Sequence, residues 1–139
     1  MTMRKPLILV IDGQGGGLGK QIIEGIKNSG MDYEIVAVGT NSIASAAMVK
    51  AGADNTATGE NAVIVNCKNA DIIVGPIGIV IADSLFGEIS PAMAVAVGQS
   101  RARKLLIPIN LCDNIVIGIN DLSTSKMVKD VLDQLRIIY

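Results

Sequence analysis

Short apolar runs and amphipathic stretches take turns along this chain. The first run, Leu7-Ile8-Leu9-Val10-Ile11, is closed by Asp12-Gly13. It reads as a strand buried on both faces, where apolar residues run continuously instead of alternating. Behind a cluster of glycines, Leu18, Ile22, Ile23 and Ile26 recur at helical spacing. Gln21, Glu24, Lys27 and Asn28 fall on the opposite side, and Gly30 supplies a C-cap. Glu34 to Val38 predicts a second strand, stopped by Gly39-Thr40. Asn41 or Ser42 can then N-cap a helix through Ile43, Ala46, Ala47 and Val49 to Gly52. A short third strand is expected between Asp54 and Thr58. Residues 60–68 fit either a strand over Ala62 to Val65 or a helix. The helix is preferred: Thr58 can cap it, Glu60 suits the positive end of its dipole, and a sheet of alternating strands and helices needs a crossover there.

Ile72-Ile73-Val74 is expected as a fourth strand, ended by Gly75-Pro76. Ser90 as N-cap and Pro91 at the first helical position open a helix to about Arg103. Leu105-Leu106-Ile107 and Ile115-Val116-Ile117 read as a fifth and a sixth strand. Ser123 or Thr124 starts a final helix with Met127, Val128, Val131, Leu132 and Leu135 inward. This order predicts one α/β domain over residues 1–139, a Rossmann-like three-layer fold with a mostly parallel sheet of five to six strands. The stretch from Pro76 to Ile89 stands apart as a long connection rich in apolar side chains.

Composition narrows the function classes. A chain of 139 residues, half of them hydrophobic and 18% charged, is a folded domain and not a disordered segment. The net charge of −1 leaves no basic excess to draw in a phosphodiester backbone, and 2% aromatic residues leave few faces on which bases could stack, so no nucleic-acid partner is expected. The chain has no histidine, hence no residue of the kind most used as general base and transition-metal ligand, and no metal site is expected. Cys67 and Cys112 match no metal spacing and read as buried reduced thiols. The five-residue apolar run near the N-terminus is too short for a signal peptide or a membrane span, so a soluble cytoplasmic protein without a membrane partner is expected.

The chemistry concentrates between the first strand and the first helix. Gly13, Gly17 and Gly19 form Gly-x-x-x-Gly-x-Gly in the segment Gly13-Gln14-Gly15-Gly16-Gly17-Leu18-Gly19-Lys20. Glycine permits a tight turn, lets a diphosphate approach the backbone, and lets the helix pack closely on the strand. The helix N-terminus adds free N–H groups and a partial positive charge, and Lys20 a cation. A glycine-rich turn that merely packs is the alternative. Asp12 could cap loop N–H groups, hold a metal-bound phosphate or turn away, and capping is preferred. A P-loop does not fit: Gln14 stands where its first glycine belongs, and Gln21 where its hydroxyl belongs.

The loop spacing, over about the first forty residues, resembles the short-chain dehydrogenase/reductase fingerprint. That resemblance implies binding of NAD or NADP. The family's catalytic Tyr-x-x-x-Lys pair has no counterpart, since Ala37 lies four residues after Tyr33 and Tyr139 is the last residue. Where such sites usually present an acid to the ribose, the second strand ends in Gly39-Thr40-Asn41-Ser42, and Glu34 is at its other end. NAD and NADP are therefore not distinguished. Taken together, Ile11 to Gly17, Val38 to Ala44, Gly59 to Ala62, Gly75 to Val80 and Gly87 to Ala94 resemble a family of short bacterial proteins catalogued as a domain of unknown function. The resemblance spans nearly the whole chain and implies a Rossmann-like fold without an activity.

Gly13–Lys20, Gly39–Ser42, Thr58–Asn61 and Gly75–Gly78 all follow expected strands, whose carboxyl ends share one edge of a parallel sheet. Thr40, Asn41, Ser42, Glu60, Asn61, Gly75 and Pro76 are thus expected to join the glycine loop around one crevice, with helix capping as the alternative for the polar ones. The expected function is a binding or sensing module for a phosphate-bearing nucleotide, NAD or NADP first. The alternatives are an enzyme using Glu60, Asp83 or Glu88 as base beside a dinucleotide, and a site for coenzyme A or a mononucleotide. A mean hydropathy of +0.48 and the apolar stretch 77–89, with Phe86, point to a homodimer through that segment.

Overall fold

The computed structural model describes residues 4–109, 111, 113–120 and 122–138. In chain order the elements are β1 (Leu7–Asp12), α1 (Gly17–Ser29), β2 (Glu34–Gly39), α2 (Ser42–Ala51), β3 (Asn55–Thr58), α3 (Glu60–Cys67), β4 (Ile72–Pro76), a 3₁₀ turn (Ile77–Val80), α4 (Pro91–Gln99), β5 (Arg103–Ile107) and α5 (Thr124–Ile138). The five strands form one sheet in the order β3-β2-β1-β4-β5, and every pairing is parallel.

Successive side chains of a strand point to opposite faces, so each central strand feeds two cores. Ile8 and Val10 of β1, Ile35 and Ala37 of β2, and Ile72 and Val74 of β4 pack with Ile22, Ile23 and Ile26 of α1, Met48 of α2 and Val128, Val131 and Leu135 of α5. Leu9 and Ile11 of β1, Val38 of β2 and Ile73 of β4 pack with Val63 and Cys67 of α3 and Met93, Ala94 and Val97 of α4. Each fully buried Ile or Leu contributes about 1.5–3 kcal/mol relative to exposure, and such residues occupy both faces of β1 and β4. Tyr33 is buried just ahead of β2, and its hydroxyl donates to the Leu135 carbonyl of α5 at 2.9 Å, pinning the last helix to the sheet. Among the described residues no helix is long and apolar enough to cross a membrane.

The chain winds outward from β1 to β3, then returns to lay β4 on the other side of β1. The reversal opens the sheet's carboxyl edge between β1 and β4, where ligands of such folds bind. Gly75 allows this junction, since a Cβ there would lie 2.4 Å from the Ile11 carbonyl oxygen.

Several expectations need correction. Residues 115–117 form no strand: Ile115 and Ile117 are 85% and 89% exposed, and β5 remains an edge. Three β-branched residues ahead of Gly118, at φ 90°, have no ladder to join. Helix α4 ends at Gln99, not near Arg103, because Ser100 turns extended and Arg103 already opens β5. Thr58 does not cap α3. Gly59 takes that position at φ 99°, while the Thr58 hydroxyl pairs with Ser45 at 2.6 Å. The stretch 77–89 is no exposed apolar patch either, as Ile79, Leu85 and Ile89 are buried in the α3–α4 core. Phe86 is the exception, 95% exposed. Cys67 is a buried free thiol, pushed up to about 11 by that burial; Cys112 lies outside the described residues.

Candidate functional site

The loop between β1 and α1 sorts its glycines by physical need. At Gly13 a Cβ would sit 2.7 Å from the Thr40 hydroxyl and 3.1 Å from the Leu85 side chain. At Gly16, whose φ is 76°, it would meet Ala44 backbone atoms at 2.8 and 2.9 Å. At Gly19 it would press on Met48 Sδ at 2.6 Å and on Asp12. These three are required by the turn and by the packing of α1 against β1 and α2. Gly15 and Gly17 are different. Both are exposed, a Cβ at either would meet nothing within 4 Å, and neither has a left-handed backbone. Their amides donate to no acceptor among the described residues.

Asp12 underpins this loop. Its carboxylate accepts from the Gly13 amide at 2.8 Å and from the Gly19 amide at 2.7 Å, the capping role expected for it. Burial pushes its carboxyl above the ordinary range against the pull of the Gly19 and Gly13 amides, and the nearby Glu88 carboxylate adds to the rise. Leu18 is buried in the α1 core, whereas Lys20 is exposed with its ammonium 3.9 Å from Glu24. Gly15, Lys20, Ser42, Ile43, Ala46, Ala47 and Lys50 line an open groove of about 560 Å³ between α1 and α2, and both of its charged residues are cations.

At the end of β2, Thr40 and Asn41 meet a residue from far along the chain. Glu88 Oε1 accepts from Thr40 Oγ1 at 2.7 Å, from Asn41 Nδ2 at 2.6 Å and from the Gln14 amide at 3.0 Å. Burial alone would raise the Glu88 carboxyl, but donation by Thr40, Asn41 and the Gln14 amide outweighs it and holds the group below its ordinary value. Asn41 also caps α2, accepting from the Ala44 amide at 2.9 Å, and donates to the Gln14 carbonyl at 2.9 Å. Capping and clustering thus coexist in one side chain.

The other expected residues divide. Ser42 and Asn61 are exposed on the first turns of α2 and α3. Glu60 accepts from Ser90 Oγ at 2.5 Å, bridging the starts of α3 and α4. Gly75 and Pro76 are buried at the end of β4. Asp83 is exposed on the strap that carries Glu88. Asp83, Leu85 and Phe86 there adopt φ of 66°, 54° and 56°, a left-handed backbone that costs non-glycine residues about 1 kcal/mol or more each. In the sequence Glu88 reads only as a candidate base, and its place at the end of β2 emerges only in the fold. No local signal marks a contact spanning 47 to 74 residues.

Solved structures are similar to this chain at low identity. A probable oxidoreductase from Mycobacterium abscessus is 21% identical, with a TM-score of 0.48 over 96% of this chain and 41% of its own. A nucleoside-diphosphate-sugar epimerase from Pseudomonas aeruginosa is 16% identical, with a TM-score of 0.48 over 92% of this chain and 46% of its own. The present chain thus spans less than half the length of either. A dodecameric FMN-dependent UbiX-like decarboxylase from Escherichia coli O157:H7 is 14% identical, with a TM-score of 0.43 over 92% of this chain and 94% of its own. No curated protein matches the chain in sequence. Residues 7–139 match the family described as domain of unknown function DUF3842, and the chain belongs to that family.

Proposed function

We propose that this chain binds a phosphate-bearing nucleotide, a dinucleotide such as NAD or NADP, at the glycine loop, and acts as a binding or sensing module. The observation that carries this reading is the pair Gly15 and Gly17. Neither turn geometry nor packing accounts for them, yet they leave two exposed amides unshielded beside the N-terminus of α1. Such amides, with the positive end of the helix dipole, suit a diphosphate, and Lys20 adds a cation one turn on. Thr40, Asn41, Ser42 and Asn61 would meet the remainder of the nucleotide along the same sheet edge.

A binding role is favoured over acid–base catalysis by the state of the carboxylates. Glu88 accepts three donors on one oxygen and is held below its ordinary value, which makes it a weak base at neutral pH. Asp12 is buried under the loop and committed to two amides. The test is a thermal-shift screen of the purified protein against NAD, NADP, ATP, GTP, coenzyme A and flavins. A ligand at a hundred times its Kd stabilises by about 2.7 kcal/mol, easily seen as a shift in Tm. No shift with any of the panel at millimolar concentration refutes the reading.

A further inference from the structure

We infer that Glu88 reads the ribose of the bound nucleotide, so that the site takes a free 2′-hydroxyl and rejects a 2′-phosphate. The inference rests on the nucleotide reading above and narrows it to NAD over NADP. Dinucleotide folds of this topology place the ribose-binding carboxylate at the end of the second strand. Here β2 ends in Gly39 and is followed by Thr40-Asn41, with no acid at that point. The fold supplies one from elsewhere. The strap after β4 crosses the sheet edge and sets the Glu88 carboxylate on Thr40, Asn41 and the Gln14 amide, beside the first turn of the glycine loop.

The two carboxylate oxygens are not equivalent. Oε1 accepts three bonds, at 2.6, 2.7 and 3.0 Å. Oε2 receives only the longer arm from the Gln14 amide, at 3.2 Å. An ionised carboxylate has about four acceptor sites, so Oε2 is the oxygen with capacity left. It can accept from a hydroxyl and can offer nothing to a phosphate, which brings about −1.5 to −2 charge and no donor at neutral pH. The donors around Oε1 are already committed to Glu88, and the cations of the α1–α2 groove, Lys20 and Lys50, lie beside Gly15 and Ser42, outside the Glu88 cluster. The carboxylate is held in place before any ligand arrives. Leu85 and Ile89 are buried on either side of it, and Gly87 at φ 84° makes the turn between them.

The test is calorimetric titration of the parent protein, Glu88→Gln and Thr40→Val with NAD and NADP. The parent should bind NAD at least about tenfold tighter than NADP, since like-charge contact strongly disfavours the wrong ligand. Glu88→Gln should lose about tenfold on NAD, while its NADP affinity holds or rises and the two converge. Thr40→Val, which loosens Glu88 without removing its charge, should lose less on NAD and keep the preference. If Glu88 only braces the strap, both affinities fall together and the ratio stays, which overturns the inference. Tighter NAD binding in Glu88→Gln overturns it as well, because the carboxylate then competes with the ligand. A parent preference for NADP does the same, with the phosphate assigned to the Lys20–Lys50 groove. Binding of other nucleotides but of neither dinucleotide sinks this inference alone, and binding of none sinks the nucleotide reading itself.

Discussion

On the proposed nucleotide site, Gly17 is a glycine kept for a ligand, in contrast to the glycines that packing requires. It is the first residue of α1, it does not have a left-handed backbone, and a Cβ there would touch nothing within 4 Å. Gly17→Ala should therefore stabilise the protein by about 0.4–1 kcal/mol, because the unfolded chain loses freedom and the folded one meets no clash. At this chain length that is a rise of about 1–4 °C in Tm. Gly16→Ala is the matched opposite. It must hold φ 76° and force a methyl to within 2.8 Å of the Ala44 backbone, which cannot move like a side-chain tip. The left-handed backbone costs about 1 kcal/mol and the overpacking about 1–3 more, a fall of about 5–15 °C. Binding should follow the reverse order for its reasons. A methyl at Gly17 stands between the exposed amide and a diphosphate, and a lost charge-assisted hydrogen bond weakens binding by about tenfold or more. Gly17→Val, with a larger side chain, should lose more. The assay is a melting curve without ligand, followed by titration with the nucleotide that shifts the parent most. A Gly17→Val variant that is folded and binds like the parent refutes the reasoning, for the open glycine would then have no ligand to make room for.

Other perturbations read other parts of the molecule. Asp12→Asn should cost about 2–3 kcal/mol near pH 4, since its amide group faces a loop amide that needs an acceptor. The pH dependence has a definite sign. Because the Asp12 carboxyl is raised in the fold, its contribution is full below the ordinary pKa of 3.8 and is lost as pH rises through the raised value. The deficit of Asp12→Asn relative to the parent should therefore shrink from pH 4 towards pH 7 in urea titrations, and a deficit that widens contradicts the assignment. Cys67, with its thiol pushed to about 11, carries about one part in a thousand thiolate at pH 8, so a thiol reagent should label it only on unfolding; rapid labelling of the native protein, located at Cys67 by peptide mass, would show an accessible site. Phe86 is the apolar residue the strap leaves outside, and if it seats against a second copy, light scattering should show a dimer for the parent and a monomer for Phe86→Asp. A monomeric parent at micromolar concentration rejects that contact, and a dimer surviving Phe86→Asp moves it elsewhere.

The parallel order was legible in the sequence because its causes are local. Continuous apolar runs such as Leu7 to Ile11 can only be buried on both faces, and the glycines, the Ser90-Pro91 pair and Asn41 mark helix ends by chemistry within a few residues. Helix α3 was ambiguous because Ala62 to Val65 is apolar all round, and it was resolved by the need for a crossover between parallel strands. Residues 115–117 have strand propensity but form no strand, for the converse reason: such propensity is worth little without a neighbour to pair with, and β5 offers none there. At the site, the glycine spacing located the loop, but only the packed fold separates Gly13, Gly16 and Gly19, which would collide with Thr40, Ala44 and Met48, from Gly15 and Gly17, which face open space. Glu88 lay furthest out of reach. Its place at the end of β2 depends on β4 returning beside β1, on Leu85 and Ile89 sinking into the α3–α4 core, and on donors from two other loops. Each is a long-range contact set by packing, and hydrogen-bond partners that far apart in the chain leave no periodicity in it.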